Sequence, residues 1–217
     1  MAIDRDRIVG EALLLLNEVG IDKLTTRKLA ERLGVQQPAL YWHFRNKSAL
    51  LDAVNTEMLT RFHTHRLPAP GEDWAEFTFA NARSMRTTLL SVRDGARLTA
   101  GTRPSTTEFA DTERVLALYV DAGFSAAEAF GIAISVTRYV VGYVLEEQGE
   151  RERADGEAHE GGGSMAELAP FPLLTEALQS LFKVGTVNTE AVFEGGLRDM
   201  VEGMRTRLAA KGTGRGR

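Results

Sequence analysis

The chain has 217 residues, with 26 lysines and arginines against 30 aspartates and glutamates, no cysteine and a formal net charge of -4. That length holds a small domain and a larger one, each with its own core, and the missing cysteines exclude disulfides, thiolate metal sites and a cysteine nucleophile. No apolar run reaches the length of a membrane span, and the opening Met1-Ala2-Ile3-Asp4-Arg5 has the wrong order of charge and hydrophobicity for a signal peptide, so a cytoplasmic protein with no membrane partner is expected.

Helical periodicity dominates the chain and strand signals are almost absent, which predicts an all-α fold. A first helix is expected from about Asp4 to Val19, burying Ile8, Ala12, Leu13, Leu15 and Leu16 before Gly20 stops it. In the next helix Thr25 or Thr26 accepts a backbone N–H as N-cap, and Leu29, Ala30 and Leu33 give one apolar face. Gly34 then lets the chain turn at once through positive φ. Gln37-Pro38 opens a further helix, since proline suits a first turn where its missing N–H costs nothing. Ala30 is small enough for a close crossing, and Val35 and Leu40 pack underneath. The arrangement is a helix-turn-helix, whose second helix enters the major groove by its N-terminus.

The outward face of that second helix carries Gln36, Gln37, Ala39, Tyr41, Trp42 and His43. Glutamine can bond bidentately to adenine, alanine can meet a thymine methyl, and tyrosine or histidine can reach a phosphate. Arg27, one helix earlier, is placed to reach a guanine, and Thr26, Pro38 and Lys47 complete the candidate DNA-contacting set. From Lys23 to Lys47 six basic residues face only Glu31, a local charge of +5 in an acidic chain. An ordinary charged helical hairpin is the rival reading; basic residues, glycine and proline all in register favour DNA.

A fourth helix starts near Lys47 and continues to about His65, and Leu67-Pro68-Ala69-Pro70-Gly71 marks a boundary. Further helices are expected over Trp74 to Val92, Thr106 to Ala122, Ala126 to Glu150, Pro170 to Phe182 and Glu190 to Leu208. The polar stretch Arg151 to Ala169, with Gly161-Gly162-Gly163-Ser164, reads as a mobile loop and Ala209 to Arg217 as a disordered tail. The expected domains are therefore 1–47 for DNA, 48–66 as connecting helix and 67–208 as a larger helical body. Ala126 to Leu145 is apolar nearly all round, and Val192, Phe193, Gly196, Leu197, Met200, Val201 and Met204 form a stripe. One small domain cannot cover both, so a four-helix interface in a homodimer is expected, and with it a palindromic operator; a monomer core is the rival. His63, Ser84, Asp94 and Glu146 could be assembled into a hydrolytic site on paper. No nucleophile elbow, phosphate-binding glycine loop or HExxH accompanies them, so an enzyme is not expected.

From about Ile8 to Leu51 the chain resembles the DNA-binding domain of the tetracycline-repressor (TetR) family. Leu24-Thr25-Thr26-Arg27-Lys28-Leu29-Ala30, Gln37-Pro38, Leu40-Tyr41-Trp42-His43 and Asn46-Lys47 carry the likeness to the tetracycline repressors in particular. It continues through Leu67-Pro68, Arg93-Asp94-Gly95-Ala96, Gly101-Thr102-Arg103-Pro104, Gly123-Phe124-Ser125 and Val144-Leu145-Glu146. The resemblance implies that 67–208 binds ligand and dimerises, with a drug pocket in which His63 and Asn81 bind a polar ring, Thr102, Arg103 and Pro104 form the switching turn, and Glu146, from the partner chain, holds a metal-bound water. It also implies that the partner chain closes the pocket with the segment bearing Leu174, Leu178 and Leu181. Three positions depart from it: Thr99 stands where the family's metal histidine would, Val115 replaces a glutamine and Met85 an aromatic residue. A neutral hydroxyl is a poor ligand for a hard dication.

The expectation is a homodimeric repressor that binds double-stranded operator DNA and is released by a small apolar or polycyclic inducer, without a cofactor. Magnesium would enter only if the ligand is a tetracycline. The alternatives are a magnesium-tetracycline-responsive repressor of an efflux gene and, third, a constitutive DNA-binding dimer, against which the Gly101-Thr102-Arg103-Pro104 turn speaks.

Overall fold

The structure is a computed structural model that describes residues 3–102, 108–156, 168, 170–183, 186–187 and 189–214. Ten helices lie among these residues: α1 Arg5–Val19, α2 Thr26–Leu33, α3 Gln37–Tyr41, α4 Lys47–Phe62, α5 Trp74–Ser91, α6 Gly95–Ala100, α7 Phe109–Asp121, α8 Ala126–Gly156, α9 Pro172–Leu181 and α10 Thr189–Gly214. A two-stranded antiparallel ribbon, β1 Phe182–Lys183 and β2 Thr186–Val187, is the exception to the all-α expectation. Packing divides the chain into two compact units, Met1–Leu145 and Glu146–Arg217, with the division inside α8.

Side-chain oxygens start the first helices. Asp4 accepts the Arg7 N–H at 2.7 Å, Thr25 that of Lys28 at 3.2 Å and Asn46 that of Ala49 at 2.8 Å, each satisfying a donor that the first helical turn leaves unpaired. Gly34 closes α2 in the left-handed region, at φ 69°, and Pro38 occupies the first turn of α3. α1 packs on α2 and α4, and α2 on α3. Their core consists of Ile8, Leu16, Leu24, Leu29, Leu40, Phe44, Leu50 and Val54.

Beyond the head, Trp74 and Phe77 of α5, Tyr119 of α7 and Phe124 form an aromatic cluster, with the Trp74 and Phe124 rings edge-on at 5.2 Å. Thr78 Oγ1 donates to the Trp74 carbonyl at 2.7 Å, so the Tyr119 hydroxyl donates to Thr78 across another 2.7 Å. The buried residues of α8 in this unit, Ala129, Ile132, Val136, Val140, Val141 and Val144, share one stripe, while Phe130 is half exposed on the other side.

In the second unit, α10 buries Phe193, Leu197, Val201 and Met204 at spacings of four, four and three, whereas Val192 is exposed. α9 exposes Leu173 and Leu174, with Phe171 exposed just before it.

Several boundaries differ from the sequence reading. α8 runs through Gly156, into the stretch expected to be a loop, because Arg151-Glu152-Arg153-Ala154 are helix formers with no stop before that glycine. For the same reason α10 continues through Ala209, Ala210 and Lys211 to Gly214, so that much of the expected disordered tail is helix. Gly161-Gly162-Gly163-Ser164 lies outside the described residues. The six-residue α6 was not foreseen, being too short to show a period. Over Ala126–Arg151, α8 is also long and apolar enough, by length and composition alone, to cross a membrane, contrary to the sequence reading; core helices pass the same test.

One contact makes a sharp demand on the sequence. A Cβ on Gly95 would lie 2.5 Å from the Leu89 carbonyl oxygen and 3.1 Å from Leu89 Cα, both backbone atoms with no rotamer to retreat into. Gly95→Ala is therefore expected to destabilise the protein by roughly 3 kcal/mol, read from the urea midpoint, in the range of strong core overpacking. Gly10→Ala, where the added carbon meets only the end of the flexible Arg61 side chain at 3.8 Å, serves as control.

Candidate DNA-binding head and ligand site

α3 spans only Gln37 to Tyr41, so Gln36 is its N-cap, Trp42 its C-cap, and His43 lies in the following turn, held by its N–H to the Leu40 carbonyl at 3.0 Å. The three residues thus flank the helix to which the sequence reading assigned them. Trp42 is 89% exposed and Tyr41 48%, an unusual display of aromatic surface, whereas Ala39 is half-buried. Gln37 is set in place by its amide, which donates to Thr26 Oγ1 at 2.9 Å and to the Tyr41 hydroxyl at 3.3 Å. Thr26 and Gln37 are therefore one polar unit spanning the mouth of the two helices.

The basic residues of this region divide. Arg32 binds Glu11 at 2.8 Å and Glu18 at 2.6 Å, which raises its pKa and fastens α2 to α1 rather than to a phosphate. Lys47 Nζ donates to the Ile21 carbonyl at 3.3 Å. Arg27 pairs with Glu31 at 2.9 Å, but with both side chains largely exposed, an arrangement that DNA can readily displace. Lys23, Lys28 and Arg45 are exposed.

A joint that the sequence reading missed fastens the head to the turn between α5 and α6. Asp94, 7% exposed and at φ 57°, accepts the Ile21 N–H at 2.8 Å through Oδ2 and Arg97 Nη1 at 3.0 Å through Oδ1. Arg97 reaches on to both carboxylate oxygens of Asp22, at 2.9 and 3.0 Å, which lowers the Asp22 pKa and raises that of Arg97. Arg93 adds its N–H to Asn17 at 2.8 Å and its guanidinium to the Glu18 carbonyl at 3.0 Å. The signal was Asp94 immediately before Gly95: aspartate tolerates the left-handed region, and a glycine beside it permits a close turn.

The expected ring-binding residues do come together. His63, the C-cap of α4 and 8% exposed, donates Nε2–H to the Asn81 carbonyl at 3.1 Å, while the Asn81 amide donates to the His65 carbonyl at 3.0 Å. Neighbouring His65 does not share a site with it; its Nε2 lies 2.6 Å from Glu72 Oε1. Thr99 is half-buried and its hydroxyl is engaged, 2.8 Å from Asn55 Oδ1 and 3.0 Å from the Gly95 carbonyl; Thr102 Oγ1 donates to the Thr99 carbonyl at 3.1 Å. Met85 is buried and Val115 half-buried. Arg103 and Pro104 lie outside the described residues. In the second unit Glu146 is exposed, Leu174 and Leu181 are 48% and 40% exposed and Leu178 is half-buried.

Comparison with known proteins decides the family. Residues 8–54 match the model of bacterial regulatory proteins of the tetR family, and residues 67–208 that of the tetracyclin repressor-like C-terminal domain. The chain belongs to the TetR family. It is a ligand-responsive DNA-binding repressor, not an enzyme. It is 48% identical over 200 residues to the class A tetracycline repressor from transposon 1721 of Escherichia coli, covering 92% of this chain and 89% of that one. Among solved structures, a TetR variant from Acinetobacter baumannii AYE in complex with minocycline superposes with a TM-score of 0.77 at 44% identity, covering 94% of each chain. A class A TetR in complex with 5a,6-anhydrotetracycline and magnesium gives 0.72 at 39% identity, over 94% of this chain and 99% of that one.

In this TetR-family chain the burial of His63 has a measurable consequence. Desolvation pushes its pKa down from 6.5 to about 4; the nearby Arg66 and His65 charges add to the fall, and the Asn81 carbonyl opposes it. Between those values the unfolded chain binds a proton that the folded chain refuses. Stability is therefore complete above about pH 6.5 and is lost as pH falls toward 4, by an amount approaching ~3 kcal/mol. His63→Gln, which keeps a donor for the Asn81 carbonyl, should remove this part of the pH dependence in urea melts at pH 7 and pH 4.5.

Proposed function

We propose that this TetR-family repressor acts as a homodimer on a palindromic operator and is released by a small polycyclic or apolar molecule that binds without magnesium, at a site including His63, Asn81, Met85, Thr99, Thr102 and Val115. The domains follow the sequence reading: 1–47 reads DNA, 48–66 connects, and 67–208 binds ligand and dimerises. Arg103 and Pro104, with Glu146, Leu174, Leu178 and Leu181 from the partner, belong to the same proposed site.

The observation that carries the ligand class is the Thr99 hydroxyl, whose proton is shared between Asn55 Oδ1 and the Gly95 carbonyl. A neutral, already bonded hydroxyl does not fit magnesium. His63 presents a neutral ring, suited to a hydrogen bond with an uncharged ligand. The dimer reading draws on Phe130, Gly131 and Gly142, exposed along α8, with nothing within 4 Å of where either glycine's Cβ would stand. A helix that leaves apolar and small residues uncovered invites close approach by another.

Release follows from linked equilibria: a ligand that prefers a geometry in which the heads no longer match operator spacing needs only about 1.4 kcal/mol of differential affinity per tenfold loss of DNA binding.

The primary test is selection of bound sites from random DNA, followed by gel shifts with the selected operator. Arg27→Ala should cost roughly 1 to 3 kcal/mol on that operator and relax one base position. Equal loss on random DNA would show that Arg27 only touches phosphate. Because Gln36 departs from the acidic residue common in tetracycline repressors, the selected site is expected to differ from the tetracycline operator.

The second reading, a magnesium-tetracycline-responsive repressor, is favoured by relatives whose structures hold such drugs. Calorimetry with tetracycline, with and without a chelator, separates the two. Weak binding insensitive to chelation is expected for the natural chain, and stronger magnesium-dependent binding for Thr99→His. Tight binding by the natural chain that chelation abolishes would favour the magnesium reading.

A further inference from the structure

Asn55 is the one uncharged amide among the buried polar residues of α4, 9% exposed in the interior of a sixteen-residue helix. Asparagine is a poor helix former there, and a buried amide costs free energy unless it is bonded. Its Oδ1 accepts the Thr99 hydroxyl of α6 at 2.8 Å, forty-four residues away in sequence. The next residue, Thr56, makes a parallel connection: its hydroxyl lies 3.1 Å from the Asp52 carbonyl and 3.3 Å from Glu108 Oε1, at the N-cap of α7. Consecutive residues of α4 thus hold two points of the chain nine residues apart, Thr99 in α6 and Glu108 at the start of α7.

The other end of α6 is held as well. Asp94 and Arg97 bind Ile21 and Asp22 of the head, so the six residues of α6 bridge from the loop after α1 to the middle of α4, the helix that follows the recognition helix. A short helix bonded at both ends acts as a strut: it sets the angle between α4 and the body, and through α4 the position of α3.

We infer that Asn55 and Thr56 form a polar clasp with Thr99 and Glu108 that fixes the orientation of α4, making the pair positioning residues for operator recognition. The inference rests on the reading of the chain as a dimeric operator-binding repressor. Binding an operator requires both heads at one spacing at once, so any loosening of α4 lowers the fraction of molecules ready to bind and weakens the apparent affinity in proportion. Binding to random DNA, which comes from phosphate contacts alone, does not require that spacing. The clasp therefore acts on the difference between specific and non-specific affinity, which a residue touching only phosphate or one merely holding the fold together would not do.

The test uses the full chain and an operator selected from random DNA. Thr99→Val and Asn55→Leu should each weaken operator binding by about fivefold to tenfold, the effect of one buried hydrogen bond. The double variant should lose no more than either single one, because both remove the same bond. Affinity for random DNA should stay within twofold, and Thr99→Ser, which restores the hydroxyl, should return operator binding to near the natural value. If Asn55→Leu fails to fold, Thr99→Val with Thr99→Ser as rescue decides alone. Operator binding unchanged in a folded Thr99→Val, or equal loss on operator and random DNA, overturns the clasp. Failure of the natural chain to select any DNA sequence overturns the operator reading and the clasp with it, an outcome distinct from natural binding that the variants share.

Discussion

The Asp94 carboxylate reaches from the turn before α6 to the backbone N–H of Ile21, 2.8 Å away, and almost no water reaches it. Two requirements meet at this residue. Its backbone sits at φ 57°, where most side chains clash and aspartate is among the few tolerated, and its side chain must accept a donor from the head. Asparagine would meet the first requirement and still offer an oxygen, but would lose the charge that orders Arg97 toward Asp22. Gly20 completes the fit from the other side, since a Cβ there would stand 3.0 Å from Asp94 Oδ2. The reading head and the turn before α6 are thus shaped against each other, and the remaining contacts of this joint depend on that seat.

Polar bonds run through the joints of the first unit, beside apolar side chains such as Met58 and Leu98. Asn55, His63 and Asp94 are all buried and all bonded, and among the described residues no buried side-chain nitrogen or oxygen lacks a partner. A fully satisfied polar network is directional, so it is either made or broken. Apolar contacts slide more gradually. Under the proposed release mechanism, a joint built of such bonds would switch with that all-or-none character.

The head was legible in the sequence because its signals are local. Thr25, Gly34 and Pro38 each act within one turn of the backbone, and each stands where the cap or turn needs it. The body was less legible, for two physical reasons. α6 is too short for a period to show. α8 and α10 overrun their expected ends because helix formers follow without a stop. Even in the head, charge gave no direction: Arg32 counted toward the basic patch, but its partners are Glu18 and Glu11. The nearness of His63 to Asn81 was legible only through the family resemblance, and the partnership of Asn55 with Thr99 not at all, since nothing local links residues forty-four apart.

The way Arg32 is held bears on how the protein responds to its ionic surroundings. Each phosphate that a basic side chain neutralises releases condensed counterions from DNA, and the logarithm of affinity falls by roughly 0.9 for each tenfold rise in salt per phosphate so neutralised. A guanidinium already balanced by Glu11 and Glu18 releases none. The thermodynamic charge that this head shows to DNA is therefore smaller than its six basic residues imply. On the proposed reading of the head, its hold on an operator leans correspondingly on uncharged groups such as Gln37, whose proposed hydrogen bonds to a base ionic strength would leave largely alone.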